Sequence, residues 1–193
     1  MKNVLSLISG FLFLIGYVPY IRAIVKRETQ PSKASWLIWL TIDIVTVTAM
    51  VLKHALNAQM VGASLGSAIT FILVLKYGVP GWSRMDKTCL AGAVVGILLS
   101  IMLREPNVGI IVSMIVVVIG SVPTYQNAWR NPKAEDKTAW TIFFISSVLA
   151  SLAIPRWTIE DAAQPLTYFG GELVVIYLLY VRPAFQRPRP LSA

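Results

Sequence analysis

Two stretches of sequence decide the fold of this chain: GYVPYIRAIVKRETQPSKASWLIW at residues 16–39 and GSVPTYQNAWRNPKAEDKTAWTIF at residues 120–143. They align without a gap at an offset of 104 residues, and identical residues recur at this offset across three successive apolar segments. The recurring pairs are Asn3 and Asn107, Val4 and Val108, Ser9 and Ser113, Gly16 and Gly120, Val18 and Val122, Pro19 and Pro123, Lys33 and Lys137, Trp36 and Trp140, Ile38 and Ile142, and Gly66 and Gly170. A duplicated apolar unit is typical of membrane proteins with internal pseudo-symmetry, whose working site lies at the seam between the repeats.

The composition indicates a lipid environment. Of the 193 residues, 56% are hydrophobic and only 13% are charged, and the mean hydropathy is +0.68. A chain of this length cannot bury so much apolar surface in one soluble core, so we expect a multi-pass membrane protein. The net charge of +8 comes from basic residues in the short gaps between apolar runs. This placement favours topology signals over a nucleic-acid-binding surface.

The sequence contains no familiar catalytic or metal-binding motif. The single Cys89 excludes an intramolecular disulfide, and the single His54 excludes a histidine cluster for a metal. There is no glycine-rich phosphate loop, no HExxH-like zinc pair and no Ser/His/Asp set. We therefore expect no enzymatic activity, no cofactor and no metal. Intramembrane aspartyl chemistry is the alternative that residue types alone leave open.

Seven apolar segments bounded by charges and by Gly or Pro signals predict seven transmembrane helices. They cover residues 4–25, 35–52, 58–75, 88–103, 108–129, 138–154 and 164–181. The first three segments map onto the last three at the repeat offset, and the fourth has no counterpart. The expected fold is an all-α membrane protein of two parallel triple-helix bundles joined by a linker helix (3+1+3), because an odd linker returns both triplets to one orientation. The first repeat is assigned to residues 1–80, the linker helix to 81–106, the second repeat to 107–182 and a cytoplasmic Pro/Arg-rich tail to 183–193.

The distribution of Lys and Arg between the connections predicts the orientation. Thirteen basic residues fall on one side: Arg22, Lys26, Arg27, Lys33, Lys76, Arg84, Lys87, Arg130, Lys133, Lys137, Arg182, Arg187 and Arg189. Four fall on the other: Lys2, Lys53, Arg104 and Arg156. The positive-inside rule then places the N-terminus outside and the C-terminus in the cytoplasm of a multi-pass plasma (inner) membrane protein. The first segment is interpreted as a mature span and not as a cleavable signal peptide, because the fifth segment copies it.

Pro19 and Pro123 lie at equivalent places in the first and fifth segments, each three residues after a repeated glycine. A proline inside a helix removes one backbone hydrogen bond and presses on the preceding turn, so both sites are expected to bend. A static kink that only shapes packing is the alternative. Because the two prolines recur at one repeat position, we interpret them as matched hinges.

Asp43 and Glu172 are the acidic residues placed well inside the predicted spans. A carboxylate at this depth is costly unless it faces the bundle interior, finds a partner or holds a proton, so both are candidates for solute binding or gating. A buried, protonated structural acid is the alternative for each. Helical spacing places Trp39 one turn from Asp43 and Tyr168 one turn from Glu172, and Ser147 is the repeat partner of Asp43. Trp36 and Trp140 lie nearer the ends of their segments and are interpreted as interfacial belt residues.

The two quoted stretches and the three-one-three organisation resemble the SWEET, semiSWEET and PQ-loop superfamily of small membrane transporters. Members of that superfamily carry a Pro-Gln pair near the end of the first helix of each triplet, followed by a short basic loop. Pro19 and Pro123 match the proline, whereas Tyr20 and Thr124 stand in place of the glutamine, as in a divergent member. The asparagine pair found on the third helices of SWEET-like members has no counterpart in segments three and seven.

The resemblance implies a transporter that moves a small polar solute, a sugar or another small metabolite, by alternating access between the two triple-helix bundles. The expected partners are this solute and the lipid bilayer; a monomer suffices in principle, and homo-oligomerisation stays open. The resemblance also implies that membrane acids can couple solute movement to protons. A sorting receptor or a membrane scaffold without net transport is the alternative function.

Overall fold

The chain is all-helical in the computed structural model, which describes residues 1–79 and 82–185. The helices are α1 (Lys2–Val25), α2 (Lys33–Leu52), α3 (Ala58–Tyr77), α4 (Arg84–Leu103), α5 (Pro106–Arg130), α6 (Lys137–Ala153) and α7 (Ile159–Ile176). A short 3-10 turn, Pro132–Ala134, precedes α6, and α7 continues through a π-helical turn, Tyr177–Val181, into a last α-helical turn, Arg182–Phe185. The described residues contain no strand, and the expectation of an all-α protein is confirmed.

Six of the seven helices are long and apolar enough to cross a membrane, when α7 is counted together with its extension to Ala184. The exception is α6, which is apolar but has 17 residues. At about 1.5 Å per residue this helix reaches roughly 25 Å, near the lower limit for a bilayer core. These helices are those of a multi-pass membrane protein.

The repeat is visible in where the helices begin. Helices α1 and α5 begin at Lys2 and Pro106, and α2 and α6 begin at Lys33 and Lys137, so both pairs are 104 residues apart. The caps of the second pair also correspond, because the side chains of Ser32 and Asp136 accept hydrogen bonds from the backbone N–H groups of Ser35 and Ala139.

Several boundaries differ from the sequence-based expectation. Helix α7 begins at Ile159, five residues before the predicted segment, and α4 begins at Arg84, four residues before it. The first turn of each helix contains charged residues, so hydropathy alone does not extend the apolar segment over it. An acid in the first turn is favourable at a helix N-terminus, and Asp86 forms a capping box with Ser83 in α4. The predicted boundary at residues 80 and 81 and the tail residues 186–193 lie outside the described residues.

Helix contacts place α3 between α1 and α2, and α7 between α5 and α6. The two groups meet where α1 packs on α6 and where α2 packs on α5. Six helices therefore form a closed ring in the order α1, α3, α2, α5, α7, α6. The ring maps onto itself when each helix is replaced by its repeat partner, and α4 lies outside the ring against α5 and α2.

The connections meet in pairs at the two ends of the ring. At one end, the α1–α2 connection contacts the α5–α6 connection, where the backbone N–H of Gln30 donates to the carbonyl oxygen of Ala134 over 3.0 Å. At the other end, the Lys2 ammonium donates to the carbonyl oxygen of Ile154 over 2.7 Å. We call these the α1–α2 end and the α2–α3 end. Gln30 and Ala134 are repeat partners, so the pseudo-symmetry axis passes beside them.

The outer surface of the helices is apolar, and polar side chains are buried inside together with an apolar core. Large apolar side chains point outward along the helices, among them Leu7, Phe11, Ile44, Leu65, Ile72, Leu98, Ile115 and Leu152. Polar side chains lie inside, among them Ser9, Asp43, Thr46, Gln59, Ser67, Ser146, Ser147, Gln164 and Glu172. This distribution suits helices that face lipid on the outside and keep their polar side chains inside the bundle.

Candidate functional site

A central cavity lies inside the ring. All six ring helices contribute to its wall, and α4 contributes none of the lining residues. The space between the atoms, including the open part of the border, is about 600 Å³. The wall is mostly apolar with a few convergent polar groups, as is typical of sites for small ligands.

The wall of the cavity follows the repeat. Twelve of the seventeen lining residues form six pairs at the 104-residue offset: Phe13 and Val117, Tyr17 and Ser121, Trp36 and Trp140, Trp39 and Phe143, Ala63 and Thr167, and Ser67 and Gly171. The five lining residues without a lining repeat partner are Asp43, Tyr125, Tyr168, Glu172 and Val175. The cavity therefore lies at the seam of the two repeats, and both candidate acids belong to its asymmetric part.

Asp43 and Tyr168, singled out on different helices from the sequence, come together in the cavity. The Tyr168 hydroxyl donates to Asp43 Oδ1 over 3.3 Å, and the Ser67 hydroxyl donates to Asp43 Oδ2 over 2.6 Å. Asp43 is only 2% exposed. Three helices, α2, α3 and α7, are thus joined at this carboxylate by two neutral donors.

Glu172 and Trp39 also line the cavity, whereas Ser147 does not. Glu172 Oε2 is buried, and no described residue donates a hydrogen bond to it. The Trp39 indole N–H donates to the carbonyl oxygen of Val117 over 3.3 Å, which joins α2 to α5. Ser147 is fully buried between the central cavity and the α2–α3 end, and its hydroxyl accepts a hydrogen bond from Gln59 Nε2 over 2.7 Å.

An aromatic cluster forms one side of the wall. Trp36 and Trp39 have ring centroids 5.1 Å apart, and their repeat partners Trp140 and Phe143 have centroids 5.7 Å apart. The two pairs meet across the seam, with Trp39 and Trp140 at 6.3 Å. Trp36 and Trp140 are buried, so their interpretation as interfacial belt residues is wrong: their helices turn these side chains inward, not toward the membrane surface.

Pro19 and Pro123 lie outside the cavity wall, inside helices that continue through them. Pro123 is buried and Pro19 is half-buried. Each is two residues beyond a lining residue, Tyr17 in α1 and Ser121 in α5. Bending at either proline would therefore move the wall at the α1–α2 end.

A second cavity lies at the α2–α3 end. Its space is about 630 Å³, and Lys2, Ser6, Asn57, Ala150 and Asp161 are among its lining residues. The α2–α3 and α6–α7 connections form part of its rim.

A layer of buried polar side chains separates the two cavities. Asn57 Nδ2 donates to Gln164 Oε1 over 2.7 Å, and Gln164 Nε2 donates to Gln59 Oε1 over 3.1 Å. The chain of bonds continues from Gln59 to Ser147, and Ser9 and Ser146 exchange hydrogen bonds beside it. Along α1, α3 and α6 these residues fall between those that line the second cavity and those that line the central one. The layer therefore closes the central cavity toward the α2–α3 end.

Glu135, in the α5–α6 connection, is a buried acid outside the membrane spans that sequence reasoning missed. Its Oε2 accepts from the Tyr20 hydroxyl over 2.8 Å and from the Trp140 indole over 2.9 Å. Burial raises the pKa of the Glu135 carboxyl from 4.5 to about 7, although these two hydrogen bonds oppose the rise. Glu135 ties the loop to α1 and to a lining tryptophan.

Tyr17 and Tyr125 are among the wall residues that sequence reasoning missed. The repeat held a signal for Tyr17, because this residue directly follows the recurring Gly16. Tyr125 has no such signal, since its repeat partner Ile21 does not line the cavity.

No group of three or more His, Cys, Asp or Glu side chains among the described residues could hold a metal ion. Comparison with protein-family models, curated proteins and solved structures finds no match for this chain.

Proposed function

We propose that this protein is a membrane transporter that moves a small polar solute through the central cavity by alternating access between two triple-helix bundles. The observation that carries the proposal is the cavity wall, in which six residue pairs follow the repeat and two acids do not. Solute sites of transporters built from repeats lie at the repeat interface near the middle of the membrane. The duplicated lining residues belong to the two bundles that would move against each other. Asp43 and Glu172, which are not duplicated, would recognise the solute.

The 3+1+3 arrangement is part of the proposal. It is supported by the ring order, in which α3 and α7 hold equivalent central positions, and by the peripheral position of α4. In this arrangement α1, α3 and α2 form one bundle, α5, α7 and α6 form the other, and α4 is the linker. The bundles meet at the α1–α6 and α2–α5 contacts.

Alternating access follows from the unequal ends of the central cavity. The polar layer around Gln59 and Gln164 closes the α2–α3 end, which the charge distribution assigns to the outside. Bending at Pro19 and Pro123 would act on the opposite end, where Tyr17 and Ser121 line the wall. Breaking the polar layer while closing the α1–α2 end would present the cavity to the other side.

The test is solute flux in reconstituted vesicles. A thermal-shift screen of the purified protein against sugars, amino acids, nucleosides, vitamins and amines identifies a ligand, because binding stabilises the folded state. The radiolabelled ligand is then offered to proteoliposomes. We expect uptake by the native protein and none by Gly171→Leu, which places a side chain into the cavity beside Tyr125. Gly170→Leu is the matched control, because no atom lies within 4 Å of a Cβ built at Gly170.

Binding of the ligand without any uptake would contradict the transport proposal and favour a sorting receptor. Equal uptake by Gly171→Leu and Gly170→Leu would show that the solute does not pass through this cavity.

Proton coupling through Asp43 and Glu172 is a separate part of the proposal. Asp43→Asn and Glu172→Gln keep size and shape but remove the ionisable group. If either acid carries the coupled proton, we expect its variant to lose the dependence of uptake on a pH gradient while exchange of solute continues. Uptake that keeps its pH dependence in both variants contradicts coupling through these acids.

A further inference from the structure

The charges of the central cavity point to the chemistry of its ligand. Asp43 and Glu172 line the cavity, and no other described residue that lines it carries a formal charge. In a protein that spans a membrane, buried carboxylates are costly to ionise unless a cation or several donors compensate them. A ligand that brings a positive charge supplies this compensation.

The two acids differ in the acceptors that they leave free. Both carboxylate oxygens of Asp43 accept hydrogen bonds, from Ser67 and Tyr168. Glu172 is 6% exposed, and its Oε2 accepts no hydrogen bond from any described residue. Glu172, which lines the cavity, therefore keeps a buried acceptor that has no partner among the described residues.

Most hydrogen-bond donors of the wall are already committed within the protein. The Tyr17 hydroxyl donates to a carbonyl oxygen of α3 over 3.0 Å, and the Tyr125 hydroxyl donates to one of α7 over 3.2 Å. The Trp39 indole is bonded to α5. A sugar needs several free donors and acceptors, and this wall offers few. An amino acid would bring a carboxylate that meets two acids and no base.

Aromatic faces make up much of the remaining wall. Eight of the seventeen lining residues are aromatic, and three of them are Trp36, Trp39 and Trp140. Aromatic faces attract a desolvated cation through the ring quadrupole, and they accommodate alkyl groups equally well. The combination of an unpaired acid and indole faces suits an amine with an apolar body.

We propose that the central cavity binds a small organic cation, a protonated or quaternary amine without an acid group, whose charge lies against Glu172 and whose apolar body packs on the tryptophan faces. The inference rests on the proposed function in taking this cavity as the solute site. It concerns binding, so it is tested without flux.

The first experiment compares a cation with its neutral isostere. The purified full-length protein in detergent is titrated with choline and with 3,3-dimethylbutan-1-ol, in which carbon replaces the charged nitrogen, and binding is measured by calorimetry and by tryptophan fluorescence. We expect saturable binding of choline and affinity for the alcohol weaker by about tenfold or more. Equal affinities, saturable binding of glucose in place of choline, or no binding of choline and tetramethylammonium would overturn the inference.

The second experiment assigns the binding to this cavity. We expect Glu172→Gln to weaken choline binding by about tenfold, whereas Glu105→Gln, which alters an exposed acid, leaves it unchanged. Trp39→Phe keeps an aromatic face, as its repeat partner Phe143 does, and should bind nearly as well as the native protein, whereas Trp39→Leu should not. The Trp39 variants keep the test decisive if Glu172→Gln fails to fold. Unchanged affinity in both Glu172→Gln and Trp39→Leu contradicts the proposal.

The two proposals fail in different ways. Choline binding that depends on Glu172 without vesicle uptake leaves the ligand inference intact and contradicts transport. Uptake of a sugar without choline binding supports transport and contradicts the proposal that the ligand is an organic cation.

Discussion

Asp161 is the one acid among the buried acidic side chains of the described residues that forms an ion pair, with Arg156 Nε at 2.7 Å from Asp161 Oδ2. The other three, Asp43, Glu135 and Glu172, lack a basic partner. Neutral donors hold Asp43 and Glu135, and Glu172 keeps one oxygen free. A carboxyl in neutral surroundings exchanges a proton or a cationic ligand more readily than one locked in an ion pair. The three unpaired acids are therefore where protonation and ligand charge can act on this protein.

Glu135 predicts a pH-dependent stability. Its folded-state pKa of about 7 exceeds the ordinary value of 4.5, so between these values the folded protein holds a proton that the unfolded chain has lost. The free energy of unfolding should therefore fall as pH rises through this window, by up to about 3 kcal/mol, and level off above it. Thermal unfolding in detergent from pH 5 to pH 8 measures the fall. We expect Glu135→Gln to flatten the profile.

The control for Glu135 is Glu28→Gln, which neutralises an exposed acid in the equivalent α1–α2 connection. This variant should keep the native profile. A Glu135→Gln protein that still loses stability between pH 5 and pH 7 would assign the effect to another group.

The repeated glycines set how closely the helices of the two halves approach. A Cβ built at Gly16 in α1 would lie 2.6 Å from the Phe143 ring of α6, and one at Gly120 in α5 would lie 2.7 Å from Ile38 of α2. Phe143 and Ile38 occupy corresponding turns of repeat-related helices. These glycines recur because both contacts between the halves need a residue without a side chain.

Gly66 offers a matched test of close packing, because its repeat partner Gly170 occupies open space. A Cβ on Gly66 in α3 would overlap the Tyr17 ring of α1. Gly66→Ala should therefore destabilise the protein by about 1–3 kcal/mol despite the better helix propensity of alanine. Gly170→Ala should be neutral or slightly stabilising. Thermal unfolding measures the change in stability of each variant. Equal changes in the two variants would contradict the α1–α3 contact.

The Tyr17→Leu change adds a second check on Gly66. If the ring is what the new methyl group meets, Tyr17→Leu should reduce the cost of Gly66→Ala, and the pair of changes should be non-additive.

The polar layer predicts energetic coupling between α3 and α7. Removing Gln164 leaves Gln59 Oε1 and Asn57 without their buried partner, so Gln164→Ala alone should cost about 1–3 kcal/mol. Gln59→Ala should cost a similar amount, and the double variant should cost less than the sum by about 1 kcal/mol. A double-mutant cycle on thermal stability measures this coupling. Additive effects would show that the two side chains are not bonded in the membrane protein.

Much of the whole-molecule plan could be predicted from the sequence, because it depends on hydropathy and on the repeat. The seven helices follow from the apolar runs, and the matching starts of α1 and α5 and of α2 and α6 follow from the 104-residue offset. Burial cost and helical spacing point to four residues, and all of them line the cavity: Trp39, Asp43, Tyr168 and Glu172.

The remaining features depend on tertiary packing, which the hydrophobic pattern of the sequence does not predict. Glu135 lies in a loop whose sequence looks solvated, and its burial follows from the meeting of two connections around Tyr20. Trp36 and Trp140 are near helix ends, where position alone suggests the membrane surface. Ser147 is the repeat partner of Asp43, but α6 places it in the polar layer against Gln59. For the two tryptophans and for Ser147, the location depends on which face the helix turns toward the interior of the ring.

The orientation of the molecule and the crossing of α4 can be tested together. In a Cys89→Ser background, Lys26→Cys, Arg104→Cys and Lys133→Cys place single thiols in the α1–α2, α4–α5 and α5–α6 connections, at exposed positions. A membrane-impermeant maleimide added to intact cells should label Arg104→Cys and spare the other two, because the basic connections are expected in the cytoplasm. All three should react after detergent solubilisation. With α2, α3 and α5 crossing the membrane, Lys26 and Lys133 share one side only if α4 crosses as well. Labelling of just one of them in intact cells would therefore remove α4 as a transmembrane linker and with it the parallel repeats. Labelling of both, with Arg104→Cys protected, would keep the repeats and invert the protein in the membrane.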